Sequence, residues 1–137
     1  MLTTWLDMEI AEMTSSKARG PHYSPFTIGG GLVFVSGQLP LLPDRDTSLA
    51  DAPFKAQAEQ TLRNLKAVLE SAGVGVAQLL KTTVYLSDIA DWGEIDGVYR
   101  ECFGDVRPAR TVIACGPLHF GFRIEIDAIA LAASEPA

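Results

Sequence analysis

Short runs of β-branched, aromatic and alternating apolar residues predict five strands in this chain. The runs cover residues 24–28, 32–37, 79–86, 109–115 and 122–132. The first two flank Gly29, Gly30 and Gly31, and we expect them to form a hairpin across a glycine turn. A phosphate-binding glycine loop is the alternative, but neither a helical pattern nor a Lys-Ser or Lys-Thr pair follows these glycines.

Apolar residues spaced three and four apart predict two helices. The first begins near Asp51, a candidate cap, and Pro53, and it ends at Gly73. The second begins after Asp88, also a candidate cap, and ends at Gly104. One face of the second helix carries Ile89, Trp92, Ile95, Tyr99 and Phe103. We interpret its aromatic residues as core, although Trp92 near the helix start is also placed to line a cleft.

The order of elements is ββαβαββ, which indicates an α+β fold with a mixed sheet and two helices on one face. The first helix should connect the strand at 79–86 to an earlier strand that runs parallel to it, as a βαβ unit. The proline-containing segment 39–50 is predicted to be a connecting loop. Because two helices cover only one face, the other face needs a partner, and an oligomer is expected.

Composition and charge restrict the class of protein. The 137 residues predict a single domain, with residues 1–20 as a variable lead-in. Lys and Arg number 11 against 17 Asp and Glu, a net charge of −6 that disfavours a nonspecific nucleic-acid binder. We found neither a transmembrane run nor a secretory signal, so a soluble cytoplasmic protein is expected. Cys102 and Cys115 are interpreted as free thiols.

Alternation along 122–132 places Arg123, Glu125 and Asp127 on one face of the last strand. A solvated sheet face is the simplest interpretation. Arg110 opens the preceding strand, and it would approach Glu125 if the two strands were antiparallel neighbours. Such a pair would be either a structural ion pair or a functional site, and the pattern leaves both open.

Other classes of site have little support. His22 and His119 are isolated from each other and from any cysteine cluster, so no metal site is predicted. Ser36 lacks the Gly-x-Ser-x-Gly pattern and has no evident histidine base, which argues against a serine hydrolase.

Four segments together resemble one family, RidA/YjgF/endoribonuclease L-PSP, over about residues 20–132. The segments are Gly20-Pro21-His22-Tyr23-Ser24, Val33-Phe34-Val35-Ser36-Gly37-Gln38-Leu39-Pro40, Lys81-Thr82-Thr83-Val84-Tyr85-Leu86-Ser87-Asp88, and Pro108-Ala109-Arg110-Thr111 with Ile124-Glu125-Ile126-Asp127-Ala128-Ile129-Ala130. The resemblance implies a chorismate-mutase-like homotrimer, in which three sheets form a central barrel and the clefts between subunits hold the sites. It also implies hydrolysis of 2-imino and enamine acids, such as 2-aminoacrylate and 2-aminocrotonate, to 2-keto acids and ammonia without a cofactor.

The resemblance assigns roles to individual residues. Arg110 matches the arginine that holds the substrate carboxylate, a task that suits a guanidinium fork. Glu125 matches the glutamate that orients or activates water. Tyr23 matches a cleft tyrosine, and Ser36 and Gly37 match a backbone segment that contacts substrate.

Departures from the family pattern bear on the substrate. Asp96 and Val112 fall at substrate-binding positions where relatives commonly have Asn and Cys. Pro25 stands where Gln is common, and Asp96 adds negative charge near the expected anion site. In the altered loop 117–121, His119 and Phe120 either reshape the cleft mouth or are plain surface residues.

Three other functions compete with an imine deaminase. A non-catalytic trimer that binds small metabolites or unfolded chains would use Arg110 only as a carboxylate anchor. An endoribonuclease is poorly supported by a chain of net charge −6. A chorismate mutase would need more cations for its dicarboxylate substrate than one clear arginine provides.

Overall fold

A computed structural model describes residues 20–134, so nearly all of the predicted lead-in lies outside the described residues. Five strands and two α-helices follow one another in the predicted order ββαβαββ. They are β1 (Phe26–Gly29), β2 (Leu32–Gln38), α1 (Phe54–Ser71), β3 (Leu79–Leu86), α2 (Trp92–Phe103), β4 (Ala109–Ala114) and β5 (Ile124–Leu131). The prediction of an α+β fold with a mixed sheet is confirmed.

The strands form one sheet in the order β1-β2-β5-β3-β4. β5 is antiparallel to both β2 and β3, whereas β4 is parallel to β3. β2 and β3 therefore run in the same direction, as the βαβ prediction requires, but β5 is inserted between them. β4 and β5 are separated by β3, so the neighbouring pair that would have brought Arg110 to Glu125 does not form.

The glycine hairpin forms as predicted, because Gly30 and Gly31 both adopt left-handed backbone angles, with φ of 60° and 78°. The predicted glycine, Gly73, directly follows the C-cap residue of α1 (Ala72) and has a φ of 81°. The predicted cap is wrong: Asp51 lies in a 3₁₀ turn (Ser48–Asp51), and no side chain in the described part of the chain caps the first turn of α1. Instead the fully buried Gln57 donates from Nε2 to the carbonyls of Ala50 and Ala52, which ties this turn to the helix.

α2 follows a 3₁₀ turn (Ile89–Asp91) whose start is capped by Asp88, the predicted residue, through a 2.9 Å bond from the Ala90 N–H. Ile95 and Phe103 are buried as predicted. Trp92 is not core, because its side chain remains 45% exposed and its ring lies beside the Arg110 guanidinium. The first turn of α2 thus contributes an aromatic surface instead of filling the core.

The core lies between the two helices and one face of the sheet. On β3 and β5 the side chains that face the helices are buried: Thr82, Val84, Leu86, Ile124, Ile126, Ala128 and Ala130. The opposite face is open and carries Phe34 and Ile113, which are 42% and 41% exposed. Tyr85 and Asp127 also lie there, and Tyr85 Oη donates to Asp127 Oδ2 at 2.8 Å. The partner expected for this face remains a prediction.

Arg123 does not join the polar face on which alternation placed it. It precedes β5, and its Nε and Nη2 atoms donate to the Asp91 carboxylate at 3.1 Å and 2.5 Å. Its guanidinium also lies 5.5 Å from the centre of the Phe54 ring. Strand alternation does not apply to a residue outside the strand. The direction of the Arg123 side chain is set instead by its ion pair with the buried Asp91.

Both cysteines are free thiols.

Candidate functional site

Four of the predicted site residues line one cavity of about 920 Å³: Tyr23, Ser36, Gly37 and Glu125. The cavity lies where β2 ends, and its walls include Pro25, the loop after β2 and one side of α1. We refer to it as the glutamate cavity. Tyr23 and Glu125 both line this cavity although they are more than 100 positions apart in the chain. They come together because β2 pairs with β5.

A bulge in β2 shapes the floor of the glutamate cavity. Val35 pairs with Ala128 but Gln38 pairs with Ile126, so the strand holds one extra residue across Ser36 and Gly37. The Ser36 N–H donates to the Pro25 carbonyl at 2.9 Å. Its Oγ donates to the Ser24 carbonyl at 2.6 Å. Ser36 therefore holds the segment that carries Tyr23, and its hydroxyl hydrogen is already committed to a backbone partner.

Glu125 lies directly against Gly37. A Cβ atom built on Gly37 would overlap the Glu125 carboxylate and lie 2.9 Å from its Cδ, so only glycine allows this approach. Burial raises the pKa of Glu125, the charge of Asp127 raises it further, and the charge of His119 lowers it. A carboxylate with a raised pKa at the edge of a cavity is suited to take a proton from water near neutral pH.

The loop at 117–121 reaches this cavity through His119, which is one of its lining residues. Phe120 adopts a left-handed φ of 62°, which is uncommon for a residue with a bulky side chain. Its ring lies 3.7 Å from the His119 ring and packs edge-on against the buried Phe122 at 6.0 Å. His119 and Phe120 are both exposed, and of the two only His119 lines the cavity, so both interpretations of the loop stay open.

Asn64 belongs to the wall of the glutamate cavity but was not anticipated. From α1 its Nδ2 atom donates to the carbonyls of Leu39 and Leu41 at 2.9 Å and 2.8 Å, which fixes the loop after β2. The available signal was the residue type, because asparagine in a helix interior is unfavourable unless its side chain has a partner.

Arg110 and Asp96 lie elsewhere, in a second cavity of about 650 Å³ between α2 and the start of β4. We refer to it as the arginine cavity. Arg110 Nη2 is 2.8 Å from Asp96 Oδ1, and the guanidinium carbon lies 4.9 Å from the Tyr99 ring centre and 5.8 Å from that of Trp92. Val112 follows two residues later on the same face of β4 and packs against the core.

Arg110 and Glu125 are on opposite faces of the sheet. Arg110 lies opposite Thr82, and Thr82 lies opposite Ala128, so Arg110 shares the helix-facing side of the sheet with these two buried residues. Glu125 is three residues from Ala128 along β5, and an odd spacing along a strand places it on the other face. The backbones of Arg110 and Glu125 are two strand spacings apart across the sheet and three residues apart along the strands. Each of these separations is about 10 Å. The condition under which Arg110 would approach Glu125 within one chain, a pair of antiparallel neighbouring strands, is therefore not met.

Comparison with known proteins identifies the scaffold. The model of the Endoribonuclease L-PSP family matches residues 14–132. The chain belongs to this family. Within it, the chain is 39% identical to a RutC family protein of Pyrococcus horikoshii, over 83% of this chain and 89% of that protein. It is 34% identical to the 2-iminobutanoate/2-iminopropanoate deaminase of Escherichia coli, over 89% and 95% of the two chains.

The fold of this Endoribonuclease L-PSP family member matches solved structures. The serine-bound crystal structure of Escherichia coli TdcF superposes with a TM-score of 0.74 at 32% identity, over 85% of this chain and 91% of that one. Within residues 20–134, no group of three His, Cys, Asp or Glu side chains is arranged to hold a metal ion. Neither helix of this described part is long and apolar enough to cross a membrane.

Proposed function

We propose that the protein is a cytoplasmic homotrimer that hydrolyses reactive 2-imino and enamine acids, such as 2-aminoacrylate and 2-aminocrotonate, to 2-keto acids and ammonia. The observation that carries the proposal is Glu125, a carboxylate of raised pKa held over Gly37 beside Tyr23 in a cavity. Membership of the Endoribonuclease L-PSP family and similarity to an Escherichia coli imine deaminase support the same reaction.

The catalytic site needs two copies of the chain. Arg110 and Glu125 lie on opposite faces within one chain, so a substrate that contacts both must lie between neighbouring subunits. The open sheet face, with its exposed Phe34 and Ile113, is the surface through which subunits would pack. Each cleft would then combine the arginine cavity of one subunit with the glutamate cavity of the next.

Arg110 binds the substrate carboxylate in this proposal. A guanidinium has five N–H donors in a planar fork, and Arg110 Nη2 lies 2.8 Å from Asp96 Oδ1. Among residues 20–134 no hydrogen bond occupies the other donors, so in this proposal they form a bidentate contact with the planar carboxylate. Tyr99 and Trp92 hold the guanidinium plane through cation–π contacts.

Glu125 activates the water. Protonation of the enamine at carbon gives the iminium acid, Glu125 accepts a proton from water as the oxygen adds to the iminium carbon, and a carbinolamine forms. The protonated Glu125 then returns this proton to the carbinolamine nitrogen, the C–N bond breaks and ammonia leaves. The hydroxyl proton passes to solvent, which replaces the proton taken up by the enamine, and the 2-keto acid remains. Because such imines also hydrolyse spontaneously, holding water and iminium in line supplies much of the required acceleration.

A non-catalytic trimer that binds small metabolites is the second candidate. The partly exposed Arg110–Asp96 pair is compatible with it, because the pair can hold a ligand without any catalytic group beside it. The two functions differ at Glu125, which a binding protein does not need.

The test is a coupled assay in which a dehydratase generates 2-aminoacrylate or 2-aminocrotonate and keto-acid formation is followed against the spontaneous rate. We expect acceleration by the wild type and its loss in Arg110→Ala and Glu125→Gln. Arg63→Ala and Glu70→Gln, which change charged residues on the outer surface of α1, are matched controls that should retain activity. An inert wild type, or full activity in Glu125→Gln, would overturn the proposal.

A further inference from the structure

Asp96 places a negative charge where the proposed substrate carboxylate must bind. Its Oδ1 atom lies 2.8 Å from Arg110 Nη2, and the two side chains remain 44% and 21% exposed, so a ligand can reach both. A free carboxylate that approaches Arg110 therefore meets a cation whose charge is already compensated, and it also meets the repulsion of Asp96. Arg110 is thus a poor general anion site.

The surrounding rings keep the pair in place. The guanidinium lies against Tyr99 and Trp92, at 4.9 Å and 5.8 Å from their ring centres. Tyr99 is itself fixed by a 2.9 Å hydrogen bond between its hydroxyl and Thr82 Oγ1, and by edge-on packing against Phe103 at 4.8 Å. The arrangement presents a cation and an anion side by side to the arginine cavity, whose lining also includes Arg100, Arg107 and Asp105.

We infer that the Arg110–Asp96 pair selects ligands that carry a positively charged nitrogen next to their carboxylate. In such a ligand the carboxylate accepts hydrogen bonds from the Arg110 donors that Asp96 leaves free, and the nitrogen donates to Asp96. A ligand with a carboxylate alone gains only the first contact and is repelled by Asp96. Asp96 is then a specificity-determining residue.

The inference rests on the proposed function and defines the form in which the substrate binds. The iminium acid, with C=NH₂⁺ beside COO⁻, has both charges, and it is the species that water attacks. The 2-keto acid product has the carboxylate alone. The same pair therefore holds the reactive substrate and favours release of the product.

The test compares L-alanine with propanoate, which share a three-carbon skeleton and differ by the ammonium group. Dissociation constants of both are measured by NMR titration of the full-length protein at neutral pH. We expect the wild type to bind L-alanine more tightly, and Asp96→Asn to shift the ratio of the two constants toward propanoate by about tenfold. Asp105→Asn is the matched control, because Asp105 lines the same cavity and forms no ion pair with Arg110 among residues 20–134. Its ratio should equal that of the wild type.

Any of three results would overturn the inference. The ratio of the two dissociation constants could be unchanged in Asp96→Asn, it could shift equally in Asp105→Asn, or the wild type could bind propanoate at least as tightly as L-alanine. Failure to bind either probe would do the same. The deaminase assay on the same wild-type preparation separates the two proposals. An active enzyme with an unchanged ratio contradicts the role of Asp96 alone, whereas an inactive protein with the expected shift contradicts only the reaction.

Discussion

Replacing Gly37 with alanine tests the packing of Glu125 on the bulge of β2. The added Cβ atom would lie 2.9 Å from Glu125 Cδ and 3.3 Å from its Cγ, and it would overlap a carboxylate oxygen. Gly37 does not adopt a left-handed backbone conformation, so no backbone strain is added by the substitution. The whole effect comes from the contact with Glu125, which must turn away from its position.

We expect Gly37→Ala to lower the free energy of unfolding by about 1 kcal/mol, the lower end of the cost of overpacking, because Glu125 is half-buried and can swing into the cavity. The catalytic cost should be larger. If Glu125 positions and deprotonates water, its displacement should slow keto-acid formation by about 10²-fold or more.

The assay is a double-mutant cycle in urea at fixed protein concentration, with Gly37→Ala made in the wild type and in Glu125→Ala. Removing the Glu125 side chain removes the overlap, so the cost of the alanine should disappear in that background. Gly29→Ala is the control, because a Cβ atom there has no neighbour within 4 Å and its cost should be the same in both backgrounds. An equal cost of Gly37→Ala in both backgrounds, or full activity of Gly37→Ala, would refute the reasoning.

Two further predictions concern charge. Because burial and Asp127 raise the pKa of Glu125, its ionised form is lost as the pH falls through that raised value, and the acid limb of the pH–rate profile should lie above the range of an ordinary glutamate. His119→Gln removes a charge that lowers this pKa, so the limb should move to still higher pH, and an unmoved limb would contradict the contact. Arg123→Met should cost about 3 kcal/mol in urea unfolding, because it leaves the buried Asp91 uncompensated. Asp91→Asn leaves only a half-exposed arginine and should cost about 1 kcal/mol, so equal costs would show that burial of Asp91 does not decide the effect.

Features that depend on near neighbours in the chain were predictable. The hairpin follows from Gly30 and Gly31, which accept left-handed angles at little cost. Both helices follow from their apolar spacing and from the glycines that end them, Gly73 and Gly104. These signals act within a few residues, so a single sequence contains them in full.

Features that depend on strand order were not predictable. Alternation assigns residues of one strand to two faces, but it does not say which strand lies beside it. The order β2-β5-β3-β4 decides that Glu125 meets Gly37 and that β3 separates Glu125 from Arg110. The family resemblance supplied both residues but not their separation within one chain. Periodicity placed Arg123 on the polar sheet face and Trp92 in the core, and both assignments were wrong. The two residues lie at the ends of elements, where contacts with Asp91 and Arg110 set the side-chain positions.

The central claim is that each site takes Arg110 from one subunit and Glu125 from another. Its most direct test mixes the two inactive variants, Arg110→Ala and Glu125→Gln, after co-refolding them in equal amounts, and measures keto-acid formation. Random assembly gives about a quarter of the sites one intact copy of each residue, so about a quarter of the wild-type rate should return. A mixture as inactive as its two components would contradict a site shared between subunits.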